Sequence, residues 1–127
     1  MKIALYGHFM YQLAVGLRES TDNEVKLFLD SRTVPNCLSD EPLLHDESFA
    51  CVEPWVSHRE LIRPSRSRLA QELAEFDVAI TTDLGPIFAR VAKVPYVIVP
   101  SGSDLTQWPF PIRARVTRKR GKEDVLA

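Results

Sequence analysis

The stretch from Phe76 to Leu105 constrains the fold more than any other part of the chain. It contains two apolar runs, Asp77–Thr82 and Tyr96–Pro100, each leading into a polar turn. Between them lies room for a helix of about eight residues, opened by Gly85 and Pro86. Proline suits the first helical turn because its missing N–H has no intrahelical partner there. Apolar runs without polar alternation suit strands covered on both faces, and a helix between two such runs makes a right-handed βαβ unit. The stretch is therefore expected to form two buried strands with a polar crevice at their carboxyl ends.

The preceding chain supports the same architecture. Lys2–Tyr6 reads as a first, central strand ending at Gly7, and Phe9, Met10, Leu13, Ala14 and Leu17 make one apolar helical stripe. Glu24–Asp30 reads as the next strand, with Val25, Leu27 and Leu29 on one face and Phe28 on the other. Strand, helix and strand in so short a span predict parallel pairing. Residues 31–48, with Pro35 and Pro42, read as a long irregular loop, and Phe49–Val52 as a short third strand. Ser57 and Glu60 have capping-box spacing. Pro64 should interrupt the helix they open near Ile62–Arg63. A second piece from about Ser65 to Glu75 points Leu69, Leu73 and Phe76 inward, with Arg68 and Glu72 paired across one turn.

The expected fold class is α/β: a Rossmann-like doubly wound parallel sheet in three αβα layers, a single domain over residues 1–112 with a basic tail over 113–127. A chain of 127 residues with 45% hydrophobic and 26% charged residues can build one core. Its net charge of −1 supplies no global field toward nucleic acid. The tail residues Arg113, Arg115, Arg118, Lys119, Arg120 and Lys122 lack interleaved aromatics, so no nucleic-acid partner is expected, and a membrane surface is the weaker alternative for them. No apolar run approaches the roughly 20 residues of a membrane span. Met1-Lys2 leads straight into a strand rather than a signal peptide, so a cytoplasmic location is expected, with room for peripheral contact to a membrane. Cys37 and Cys51 form neither a disulfide framework nor a CxxC pair, and with His45 and His58 isolated no metal site is expected.

The turn after the first strand, Gly7-His8, sits where doubly wound folds hold phosphates. It lacks both GxGxxG and Gly-Lys-Ser/Thr, which argues against a tightly bound dinucleotide cofactor and against a P-loop. Gly7 serves either a tight turn or the close approach of a ligand, and His8 is either a hydrogen-bonding site residue or a surface turn residue. Asp83 and Asp104 are the carboxylates that the topology gathers at one crevice, as turn residues or as ligand-contacting acids. Ser101-Gly102-Ser103-Asp104 does not match G-x-S-x-G, and no catalytic residue is assigned. Arg63, Arg66 and Arg68 beside serines either grip a phosphate or form a solvated face.

Met1-Lys-Ile-Ala-Leu-Tyr-Gly7, Leu13-Ala-Val-Gly-Leu-Arg-Glu19, Val25-Lys-Leu-Phe-Leu29, Phe76-Asp-Val-Ala-Ile80 and Val94-Pro-Tyr-Val-Ile-Val-Pro-Ser-Gly-Ser-Asp-Leu105 together resemble the N-terminal domain of GT-B glycosyltransferases, especially the retaining family 4 group. The resemblance covers most of residues 1–112 and lies in the order and spacing of the motifs. It implies an acceptor-binding half of a nucleotide-sugar-dependent glycosyltransferase, with the nucleotide sugar as donor substrate rather than a resident cofactor. It also implies Gly7 near the donor diphosphate or the acceptor, and Ser101, Gly102, Ser103 and Asp104 on the acceptor side. Many relatives carry histidine where Ser101 stands. The family's C-terminal domain with its E-x7-E element is not in these 127 residues. The implied partners are a sugar or glycolipid acceptor and either that C-terminal domain or a second copy bound through exposed interdomain surface. The alternative is a non-catalytic α/β module acting through its crevice and basic tail.

Overall fold

The computed structural model describes residues 1–34, 38 and 40–100. Strands β1 (Lys2–Tyr6), β2 (Glu24–Asp30), β3 (Ala50–Glu53), β4 (Val78–Thr81) and β5 (Tyr96–Ile98) form one sheet. Its order is β3-β2-β1-β4-β5 and every pairing is parallel. Helix α1 (Tyr11–Ser20) lies on one face, while α2 (His58–Ile62), α3 (Arg68–Leu73) and α4 (Gly85–Val91) belong to the other side. The result is a single α/β unit of Rossmann-like type.

Alternation along the strands divides the core in two. Ile3, Leu5, Val25, Leu27 and Leu29 pack with Met10, Tyr11 and Ala14 from the α1 side and with Leu44 and Phe49 from the long β2–β3 connection. Ala4, Phe28 and Ala79 point the opposite way, under Trp55, Leu69 and Leu73 and beneath Phe88 and Ala89 of α4. Phe28 meets the rings of Trp55 and Phe76 edge-on, at centroid distances of 5.4 and 5.7 Å. Such edge-to-face contacts favour the ring quadrupoles beyond simple area burial.

Three local expectations are corrected. The chain leaves β1 through a 3-10 turn at His8–Met10 before α1 begins. The tighter turn changes the angular phase of the helix, so the buried side carries Met10, Tyr11 and Ala14 while Phe9 and Leu13 of the expected stripe are exposed. Arg68 does not pair with Glu72: its guanidinium takes both oxygens of Glu53, at 2.9 Å each. A planar fork matched to a carboxylate is a better geometry than a single contact along a helix. Strand β5 is not buried, because it pairs only with β4 among the described residues, and Tyr96, Val97 and Ile98 are all exposed.

The interruption at Pro64 is present. Helix α2 stops at Ile62, a 3-10 turn spans Pro64–Arg66, and Ser67 caps α3 by accepting from the Ala70 N–H at 3.1 Å. At the start of α2, Glu60 Oε2 accepts from the Ser57 N–H at 3.2 Å, the reciprocal bond of a capping box.

Candidate functional site at the ends of β1 and β4

The connections from β1 and from β4 run toward opposite edges of the sheet, so their carboxyl ends flank the topological switch point where open α/β sheets bind ligands. Gly7 closes β1 with φ of 122°, outside the usual range for L side chains. A Cβ built on it would lie 2.1 Å from Thr82 Cγ2. The close approach that demands glycine is therefore made by Thr82, and it locks the β1 and β4 turns together. The Gly7 N–H donates to the Phe28 carbonyl at 3.2 Å, and the Thr82 N–H donates to the Tyr6 carbonyl at 3.2 Å.

Asp83 follows with φ of 52°, a left-handed position that aspartate tolerates better than most residues. Gly85 then brings the start of α4 hard against the strand ends: a Cβ there would meet Tyr6 Cδ1 at 2.8 Å and Thr81 Cβ at 2.9 Å. His8 is partly buried in its 3-10 turn, its ring 4.0 Å from that of Phe9. Gly7, His8 and Asp83 are thus brought to one edge of the sheet. Ser101, Gly102, Ser103 and Asp104 lie outside the described residues.

Side chains that the sequence did not single out supply the charge. Asp30, ending β2, is only 8% exposed. Its carboxylate accepts from the Arg32 N–H at 3.0 Å, Arg32 Nε at 3.1 Å, Arg32 Nη2 at 3.0 Å and the Val56 N–H at 3.0 Å. Burial alone would raise this carboxyl, but the hydrogen bonds from Arg32 and Val56 and the Arg32 charge prevail and hold it below the usual carboxylate range. Arg32 Nη2 also donates to the Val56 carbonyl. The pair clamps the β2 end to the chain leaving β3.

Tyr6 stands at the end of the central strand. Burial, then the negative fields of Asp30 and Asp83, push its ionisation well above the ordinary phenol range, with Arg32 partly offsetting them. It therefore remains a neutral O–H at physiological pH. An acid ending β2 was readable in the sequence as the last residue of an apolar run, but its use as a clamp depends on Arg32 turning back, which no spacing rule encodes.

Asp30 is spent on four donors, and Cys51 is pushed up to about 11 by burial and by its contact with Glu53, so it is a thiol rather than a nucleophilic thiolate at neutral pH. Among the described residues no group of three or more His, Cys, Asp or Glu is arranged to hold a metal ion. No helix among them is long and apolar enough to cross a membrane. No protein-family model matches the chain, and no curated protein matches its sequence.

Proposed function

We propose that the chain is the acceptor-binding half of a nucleotide-sugar-dependent glycosyltransferase, completed for catalysis by a C-terminal donor-binding domain. The observation that carries the reading is the all-parallel 3-2-1-4-5 sheet, whose β1–β4 switch point gathers Gly7, His8 and Asp83 at the strand ends. The motif order that resembles family 4 glycosyltransferases supports it. In this reading Gly7, His8 and Asp83 border the sugar acceptor, with Ser101, Gly102, Ser103 and Asp104 on the same side. Catalysis by the completed enzyme rests on holding the acceptor hydroxyl near the anomeric carbon while the nucleotide diphosphate departs, which is chiefly positioning and charge stabilisation.

A non-catalytic interaction module is the second reading, and the exposed apolar side chains of β5 favour it. Backbone NMR with sugar and glycolipid acceptors, alongside a transfer assay with nucleotide sugars, separates the two. The expected outcome is amide shifts confined to residues 7–8 and 82–83 and the following loop, weakened by Asp104→Ala, with no turnover by the chain alone. Robust transfer by these 127 residues would overturn the half-enzyme assignment. An acceptor panel that leaves those amides unmoved would overturn the acceptor site.

A further inference from the structure

The hydroxyl of Tyr6 has no hydrogen-bond partner among the described residues, although the residue is only 7% exposed. Its place in the sheet explains why. Tyr6 stands in register with Phe28 on β2 and Thr81 on β4, so the three side chains share one face. Phe28 has no polar atom to offer, and the Thr81 hydroxyl is engaged, donating to the Val97 carbonyl at 3.1 Å. The ring itself is held by the start of α4, where a Cβ on Gly85 would lie 2.8 Å from Tyr6 Cδ1. Buried hydroxyls ordinarily find a partner, and leaving one without is costly.

The charges around this hydroxyl select the kind of partner that fits. Asp30 and Asp83 place a negative field on it, and Arg32 offsets them only in part. Asp30 is already committed to the Arg32 side chain and to the N–H groups of Arg32 and Val56. A phosphoryl or carboxylate group brought here would be repelled. An uncharged hydroxyl would not, and a phenol can both donate to it and accept from it. The Arg32 side chain is 52% exposed and Asp83 is half-buried, so solvent reaches the groups beside the ring.

We propose that the Tyr6 hydroxyl is a ligand-binding group that hydrogen-bonds an uncharged hydroxyl of a polyol such as a neutral sugar, and that a phosphorylated position is disfavoured there. The proposal rests on the acceptor-binding reading above and narrows its substrate class.

The test compares the parent chain with Tyr6→Phe, which keeps the ring and removes only the hydroxyl. A hydroxyl with no internal partner is removed without loss, so Tyr6→Phe should melt at or above the parent temperature in the absence of ligand. Tyr11 is the control, because its hydroxyl donates to Glu41 at 3.2 Å. Tyr11→Phe should lower the melting temperature and leave ligand binding unchanged. Backbone NMR titration with the methyl glycosides of glucose, mannose and galactose should shift the amides of residues 6–8. Tyr6→Phe should weaken that binding roughly three- to tenfold, the size of one neutral hydrogen bond. Glucose 6-phosphate and mannose 6-phosphate should bind the parent no more tightly than the glycosides. A lower melting temperature for Tyr6→Phe would assign the hydroxyl a structural role and overturn the proposal. Glycoside binding unaffected by Tyr6→Phe would remove Tyr6 from the site while the acceptor reading stands, whereas amides unmoved by every glycoside would sink both. Tighter binding of the sugar phosphates, weakened by Tyr6→Phe, would reverse the preference for an uncharged ligand.

Discussion

The two flanks of the sheet are built to different standards of closure. On the β2–β3 side, Leu27, Phe28 and Leu29 are fully buried, with α1 and the β2–β3 connection over one face and Trp55 and α3 over the other. On the β4–β5 side, α4 covers one face through Phe88 and Ala89, while Val97 is 53% and Ile98 52% exposed. Val97 is in register with Ile80, which packs against the α1-side core. Parallel sheets are ordinarily covered on both faces. At β5 this arrangement stops short on both faces among the described residues, with Val97 in register with Ile80 on the α1 side and Ile98 with Thr81 on the α4 side, and the contrast with β2 separates the buried part of the sheet from the part that has apolar surface to offer.

The largest effect that tests this contrast is a paired truncation. Phe28→Ala removes a fully buried ring held between Trp55 and Phe76 and should cost about 3–5 kcal/mol. Val97→Ala should cost less than about 0.5 kcal/mol, as exposed substitutions do. Urea midpoints at constant slope measure both. Equal costs would show that β5 is covered in solution and would abolish the distinction.

An intermediate effect concerns the carboxyl edge of the buried flank. Asp30→Asn leaves donors of Arg32 and Val56 in competition with an amide and should cost about 1–3 kcal/mol at neutral pH. The folded-state pKa of Asp30 is depressed, so its contribution is present above the unfolded carboxylate value of about 3.9 and is lost as pH falls through the lower folded value. Denaturation of the parent chain and Asp30→Asn across the acid range should therefore show their difference shrinking below about pH 4. A difference that stays constant through that range would mean the clamp does not depend on ionisation.

Much of this is legible in the amino-acid sequence alone, because the features concerned are set by short-range chemistry. The unalternated run at Lys2–Tyr6 and the β-branched and aromatic content of Glu24–Asp30 mark strands, the opposed placement of Phe28 and Leu27 follows from strand alternation, and Pro64 marks the break after α2. What was not legible depended on partners far along the chain. Phe9 and Leu13 looked inward-facing until the 3-10 turn shifted the helix phase. Gly7 could be seen to need special geometry, but not that Thr82, far along the chain, is what crowds it. Arg68 had an acid one turn away, and the bidentate fit to Glu53 on another element prevailed. Tyr96, Val97 and Ile98 read as buried because composition reports what a strand is suited to, not whether another layer arrives to cover it.

The smallest expected change in stability carries the sharpest test of the open flank. Val97→Lys places a charge on a side chain already half in water, so the urea midpoint should move by no more than about 0.5 kcal/mol equivalent. Lysine on a sheet edge also opposes pairing with another chain, which exposed edge strands otherwise invite. If Val97, with Ile80 beside it on β4, is surface offered to a second domain or a second copy, the parent chain should self-associate as concentration rises and Val97→Lys should shift that equilibrium toward monomer. Sedimentation velocity over a concentration series reads both. Self-association that survives Val97→Lys unchanged would move the contact elsewhere, with exposed Ile87 and Val91 of α4 the next surface to test. A parent chain that stays monomeric throughout would instead mean that β5 is exposed without serving as a contact between copies.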